Sequence, residues 1–143
     1  MTAIALSSTA SPSASFVPTR ATRRASMVLT ALPVLFLIMD GVMKLANLAV
    51  VREATARMGW PVATIPVIGL VLLACVAIHL VPRTAILGAV LLTGYLGGAA
   101  SAHVRLGDPL FSHTLFPVYV GVMIWGGLYL RDARARALAP WRR

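Results

Sequence analysis

Three long gaps in the distribution of charge decide what this chain can fold into. No Asp, Glu, Lys or Arg occurs in residues 58–82, 84–104 or 109–130, gaps of 25, 21 and 22 residues. At about 1.5 Å per helical residue, each gap is long enough to cross the roughly 30 Å of bilayer hydrocarbon. A fourth apolar stretch starts at Met27 and runs through Asp40 and Lys44 to about Ala46. It too reaches the roughly 20 residues that a span needs. With 59% apolar and 12% charged residues, the chain is too apolar for an ordinary soluble domain; disorder, a disulfide scaffold and a collagen-like fibre are excluded. The spans carry helix punctuation in place of the strict alternation of barrel strands. The expected fold is therefore all-α, an integral membrane antiparallel four-helix bundle with spans at about 27–46, 61–81, 84–104 and 109–130. Connections as short as 81–83 and 105–108 force sequential spans to run antiparallel.

The net charge of +9 matters here through its placement. Arg20, Arg23, Arg24, Arg83, Arg131, Arg134, Arg136, Arg142 and Arg143 fall on one side of the four spans, and Lys44, Arg52, Arg57 and Arg105 on the other. By the positive-inside bias both termini are expected in the cytoplasm, in a multi-pass protein of the bacterial inner membrane. The basic ends then serve topology and contact with the lipid bilayer, and no nucleic-acid partner is expected. Residues 1–25 read as a disordered tail, 26–132 as the membrane domain and 133–143 as a basic cytoplasmic tail. The arginines follow the uncharged stretch 1–19 and do not precede it, so the first span reads as a retained helix and not a secretory signal. Cys75, the single cysteine, has no partner for an internal disulfide and reads as packing.

Gly94 and Gly98 form a GxxxG pair that Ala102 extends. Such a face lets a neighbouring helix approach closely, either within the bundle or in a homodimer. After the first span, Leu48, Val51, Ala54 and Met58 recur at helical spacing, with Glu53 and Arg57 on the other face. This predicts a short interfacial helix. Trp60, Tyr129 and Trp141 sit where interfacial anchors are favoured.

Ionisable groups at membrane depth call for a reason. Asp40 and Lys44, four residues apart on one helical face, can neutralise each other. The second concentration of polar groups is His103, Arg105, Asp108 and His113. Asp108 is expected to cap the fourth helix with Pro109 in its first turn, which puts His113 one turn inside and near His103. Asp40, Lys44, His103, Arg105, Asp108 and His113 would then form a polar vestibule at the outer end, lined by Tyr95 or Tyr119, while the inner half holds only His79. The histidines are not placed to clasp a haem from opposing helices at one depth. No metal site is expected, since the ligand spacing is absent. Ser101 and Ser112 lack a nucleophile motif, and there is no CxxC, P-loop or dinucleotide fingerprint.

The segments FLIMDGVMKL, GWPVATIPVIG, IHLVPRTAILGAVLLTGYLGGA and HVRLGDPLFSHTLFPVYVGVMIWGGLYLRD occur in order within residues 35–132. In this the chain resembles the DoxX-like integral membrane proteins. The resemblance implies a four-helix bacterial membrane protein, and the family's name, from a thiosulfate to quinone oxidoreductase subunit, implies association with respiratory or thiol redox systems. Similar proteins often carry a Glu in a GxxExxC pattern of the second span, where this chain has Gly69, Leu72 and Cys75; a proton relay through that acid is in doubt here. The first functional expectation is a non-catalytic membrane component that binds an apolar ligand or a partner subunit, with no cofactor evident. The alternative is a quinone-interacting subunit of a membrane redox system, with His103 or Asp40 exchanging protons with the headgroup, Arg105 orienting it and a redox subunit as partner. A transporter ranks third, because no inverted repeat or broken helix pair is visible.

Overall fold

The computed structural model describes residues 19–138, and among them there are helices and short connections but no strand. Helix α1 spans Arg20–Leu45, α2 Ala49–Arg57, α3 Ile65–Leu80, α4 Ala85–Leu106, α5 Phe116–Arg131 and α6 Ala133–Ala137. A 3-10 turn, Val62–Thr64, leads into α3, and a π turn, Leu110–Thr114, precedes α5. By length and composition four segments can cross a membrane: α1, Val62–Leu80, α4 and Leu110–Arg131. They lie within a residue or two of the expected spans, except at the start of the first.

The four long helices close into a ring, with α1 and α4 each packed against both α3 and α5. Leu37, Leu72, Leu92, Ile124 and Leu128 fill the centre at no more than 2% exposure. Large apolar side chains such as Leu35, Val67, Leu70, Val90 and Val122 face outward. A monomeric soluble protein rarely exposes so continuous an apolar surface; hydrocarbon is the solvent that accepts it.

Helix α1 begins at Arg20, inside the stretch 1–25 expected as tail. The hydropathy rise at Met27 marks where lipid begins, not where the helix does. Thr19 starts the helix by accepting a hydrogen bond from Thr22 N at 3.2 Å, so Arg20, Arg23 and Arg24 form the first turns. The basic tail is also partly ordered. Asp132 caps α6, its carboxylate accepting from Arg134 N at 2.9 Å, and Arg134 Nη2 donates to Pro82 O at 2.6 Å. That bond ties the α3–α4 connection to the end of α5. Arg136 is buried and donates to Tyr129 O at 3.2 Å. Residues 1–18, Trp141, Arg142 and Arg143 lie outside the described residues.

Helix contacts close over glycines, but not those of the GxxxG pair. A Cβ at Gly69 would lie 2.8 Å from Lys44 Cβ, one at Gly41 2.6 Å from Leu73, and one at Gly127 2.5 Å from Thr30 Oγ1. Around Gly94 and Gly98 there is open space, which corrects the reading of that pair as packing within the bundle. The buried face of α4 runs through Ala85, Gly88, Ala89, Leu92 and Leu96. Gly94, two residues from Leu92, points about 200° away from it on a helix of 3.6 residues per turn. Ala102 alone of the three is buried.

Candidate functional site

The outer end is built by three helix stops of one kind. Among the described residues only Asn47, Gly59 and Gly107 have positive φ, at 51°, 74° and 68°, and they follow α1, α2 and α4. Each is the left-handed residue of a Schellman closure, whose next amide reaches back to a carbonyl five residues earlier: Leu48 N to Met43 O, Trp60 N to Thr55 O and Asp108 N to His103 O.

The last of these closures assembles the site. Folding Asp108 back over the end of α4 brings its Oδ2 to 2.7 Å from His103 Nδ1. Arg57, at the end of α2, donates to both carboxylate oxygens at 3.3 Å. Thr114 Oγ1 donates to Asp108 O at 3.2 Å. The His113 ring stands edge-on to that of His103 with centroids 5.9 Å apart, and its Nδ1 is 2.9 Å from Ser112 Oγ. His103, Asp108 and His113 thus come together as expected from the sequence. The capping role of Asp108 does not: its carboxylate is spent on closing α4, the π turn has no side-chain cap, and α5 starts afresh at Phe116 with Pro117 in its first turn.

Arg105 is turned away from the cluster; its Nη2 donates to Met58 O at the end of α2. Asp40 and Lys44 pair with each other on α1, and among the described residues no hydrogen bond or ion pair joins them to His103 or Asp108. Tyr95 packs against the core and Tyr119 is exposed. The single vestibule expected from the sequence is therefore two separate polar groups. Sequence reasoning missed Arg57, whose position at the end of an amphipathic helix was the available signal. With Arg105 it clamps α2 onto the bundle from both sides.

Hydrogen bonding from His103 holds the Asp108 carboxyl below its ordinary range, and the charges of Arg57, His103 and His113 add to this against an opposing push from burial. A depressed carboxylate contributes stability in full above its unfolded pKa, about 3.9, and loses it as pH falls through the lower folded value. The α2 clamp is therefore expected to hold at pH 5 and release below about pH 4. Amide exchange over Ala49–Arg57 in nanodiscs should show that step. In Asp108→Asn exchange should be faster throughout and the step absent; an unchanged step would assign it to another group.

A second feature faces the bilayer. Between α4 and α5 runs a groove of about 670 Å³ lined by Leu96, Gly97, Val118, Gly121 and Trp125 among others. Trp125 Nε1 donates to Thr93 Oγ1 at 2.9 Å, and that hydroxyl donates to Ala89 O at 2.8 Å. These polar groups are spent on each other, which leaves the groove wall apolar. Its outer end, at Pro117, lies one helical turn beyond His113.

Among known proteins, no curated protein and no solved structure matches this chain. The sequence pattern of the DoxX-like family matches residues 28–127, from the third turn of α1 to the last turns of α5. With four helices able to cross a membrane and that match over well more than half its length, the chain is a multi-pass membrane protein and belongs to the DoxX-like family.

Proposed function

We propose that this protein is a non-catalytic component of a bacterial inner membrane that binds a chain-bearing apolar molecule in the groove between α4 and α5. The groove carries the reading: its roughly 670 Å³ falls among the volumes of small-molecule sites, about 300–1,000 Å³, and it opens toward lipid through Gly97 and Gly121. The side with nine arginines supports a cytoplasmic placement of both termini. Purification in mild detergent followed by mass spectrometry of the extract tests the proposal. Gly97→Leu with Gly121→Leu, which fills the groove, is expected to reduce the recovered apolar molecule at least roughly tenfold, an effect of about 1.4 kcal/mol. Identical extracts from both proteins would overturn it.

A quinone is the second reading. It is favoured by the meeting of His103, Asp108 and His113 one turn beyond the groove's outer end, where a headgroup could exchange hydrogen bonds while its tail lies along α5. Recovery of a quinone that His103→Ala abolishes would support this, together with a co-purifying redox subunit; ordinary phospholipid alone would count against it. Light scattering on the same preparation tests a homodimer through the open Gly94 and Gly98 face.

A further inference from the structure

A second groove, of about 600 Å³, lies along the first half of α1 where it meets the ends of α3 and α5. Its long wall is a stripe on α1 that runs from Arg23 through Ala31 to Leu35, and Leu80, Leu130 and Arg131 complete it. Twelve residues of helix measure about 18 Å, close to the roughly 15 Å of hydrocarbon in one leaflet. Both arginines stand at the same end of this apolar channel. Arg23, Arg131, Ser26 and Leu130 lie outside the residues matched by the family, 28–127, so the groove is in part this chain's own.

The charge at the mouth has no counterpart in the protein. The sequence holds four acidic residues; Asp40, Glu53 and Asp108 belong to the opposite end, and Asp132 is held by Arg134 at 2.9 Å. Arg23 and Arg131 are exposed and form no ion pair among the described residues. The other polar groups of the groove point elsewhere: Ser26 Oγ donates to Gly127 O at 2.9 Å, and Thr30 Oγ1 is buried beside Gly127. What remains is a pair of planar donors suited to phosphate above a leaflet-length apolar channel. We propose that this groove seats one anionic phospholipid, its phosphate held by Arg23 and Arg131 and one acyl chain laid along α1. The proposal is independent of the α4–α5 groove.

The test is native mass spectrometry of the full chain in phosphatidylcholine-doped detergent titrated with dioleoylphosphatidylglycerol. One phosphatidylglycerol should be retained in preference to phosphatidylcholine. R23Q with R131Q should weaken retention roughly 30-fold, at about 1 kcal/mol for each arginine near the surface. R20Q with R24Q removes the same charge from the same helix end outside the groove and should change it less than about threefold. A31W keeps both charges but fills the channel, and should also abolish retention. Equal losses in the two arginine pairs would reduce the effect to a diffuse field and overturn the proposal. So would full retention in A31W, or a wild-type protein that does not prefer phosphatidylglycerol.

Discussion

Gly88→Ala is expected to destabilise the bundle by about 3 kcal/mol, at the upper end of the range for overpacked cores, and Gly88→Val to leave no monodisperse protein in detergent. A Cβ at this position would land on the backbone N and Cα of His79 and lie 2.7 Å from its Cβ. That backbone has nowhere to retreat. His79 is 0% exposed, its Nδ1 is 3.0 Å from Ala85 O, and Thr84 Oγ1 donates to Ile78 O at 2.8 Å. The turn between α3 and α4 is thereby bonded to both helices, and one methyl group forces them apart along their whole length. Gly94→Ala is the control. With open space around it, it should gain up to about 1 kcal/mol from helix propensity. Thermal unfolding in detergent measures both; equal melting of Gly88→Ala and wild type would refute the close approach.

Lys44→Met is expected to cost about 2–3 kcal/mol, the insertion penalty of an acid left alone at membrane depth. The Lys44 and Asp40 side chains are 18% and 31% exposed, so each is only partly wetted and relies on the other. Asp40→Asn should cost a similar amount by stranding the ammonium. The double variant Asp40→Asn, Lys44→Met should recover most of either loss, because removing both charges also removes the cost of desolvating them. Additive losses in the double variant would show that the two side chains do not act as a pair.

The parts of the fold legible in the sequence were those written in hydropathy. Uncharged runs place four spans to within a residue or two, since hydrocarbon excludes charge with a strength that context rarely overrides. The Asp40–Lys44 pair was legible for a related reason: spacing of four on a helix leaves little geometric freedom. The stops and starts were harder, because they depend on single hydrogen bonds. Thr19 starts α1 well before the apolar run. Gly107 draws Asp108 back onto α4, although Asp108–Pro109 reads locally as the opening of the next helix; the same residue suits both ends, and the left-handed glycine decides. Likewise Gly94 and Gly98 match a packing motif, but the face of α4 that meets its neighbours is set by Gly88, Leu92 and Leu96, which no local pattern ranks above them. The clamp on α2 required knowing that Arg57 and Arg105 cross between elements separated by two spans.

The closure of the ring between α1 and α5 has a bearing on how the protein is made. The first span gains its second neighbour only when the fourth has been synthesised, some 85 residues later, which at about 5–20 residues per second takes roughly 4–17 seconds. Throughout that interval one flank of α1 has lipid for company. A charge compensated from another helix would be stranded during the wait, whereas Asp40 and Lys44 are translated together, so the span leaves the ribosome already carrying its own counterion.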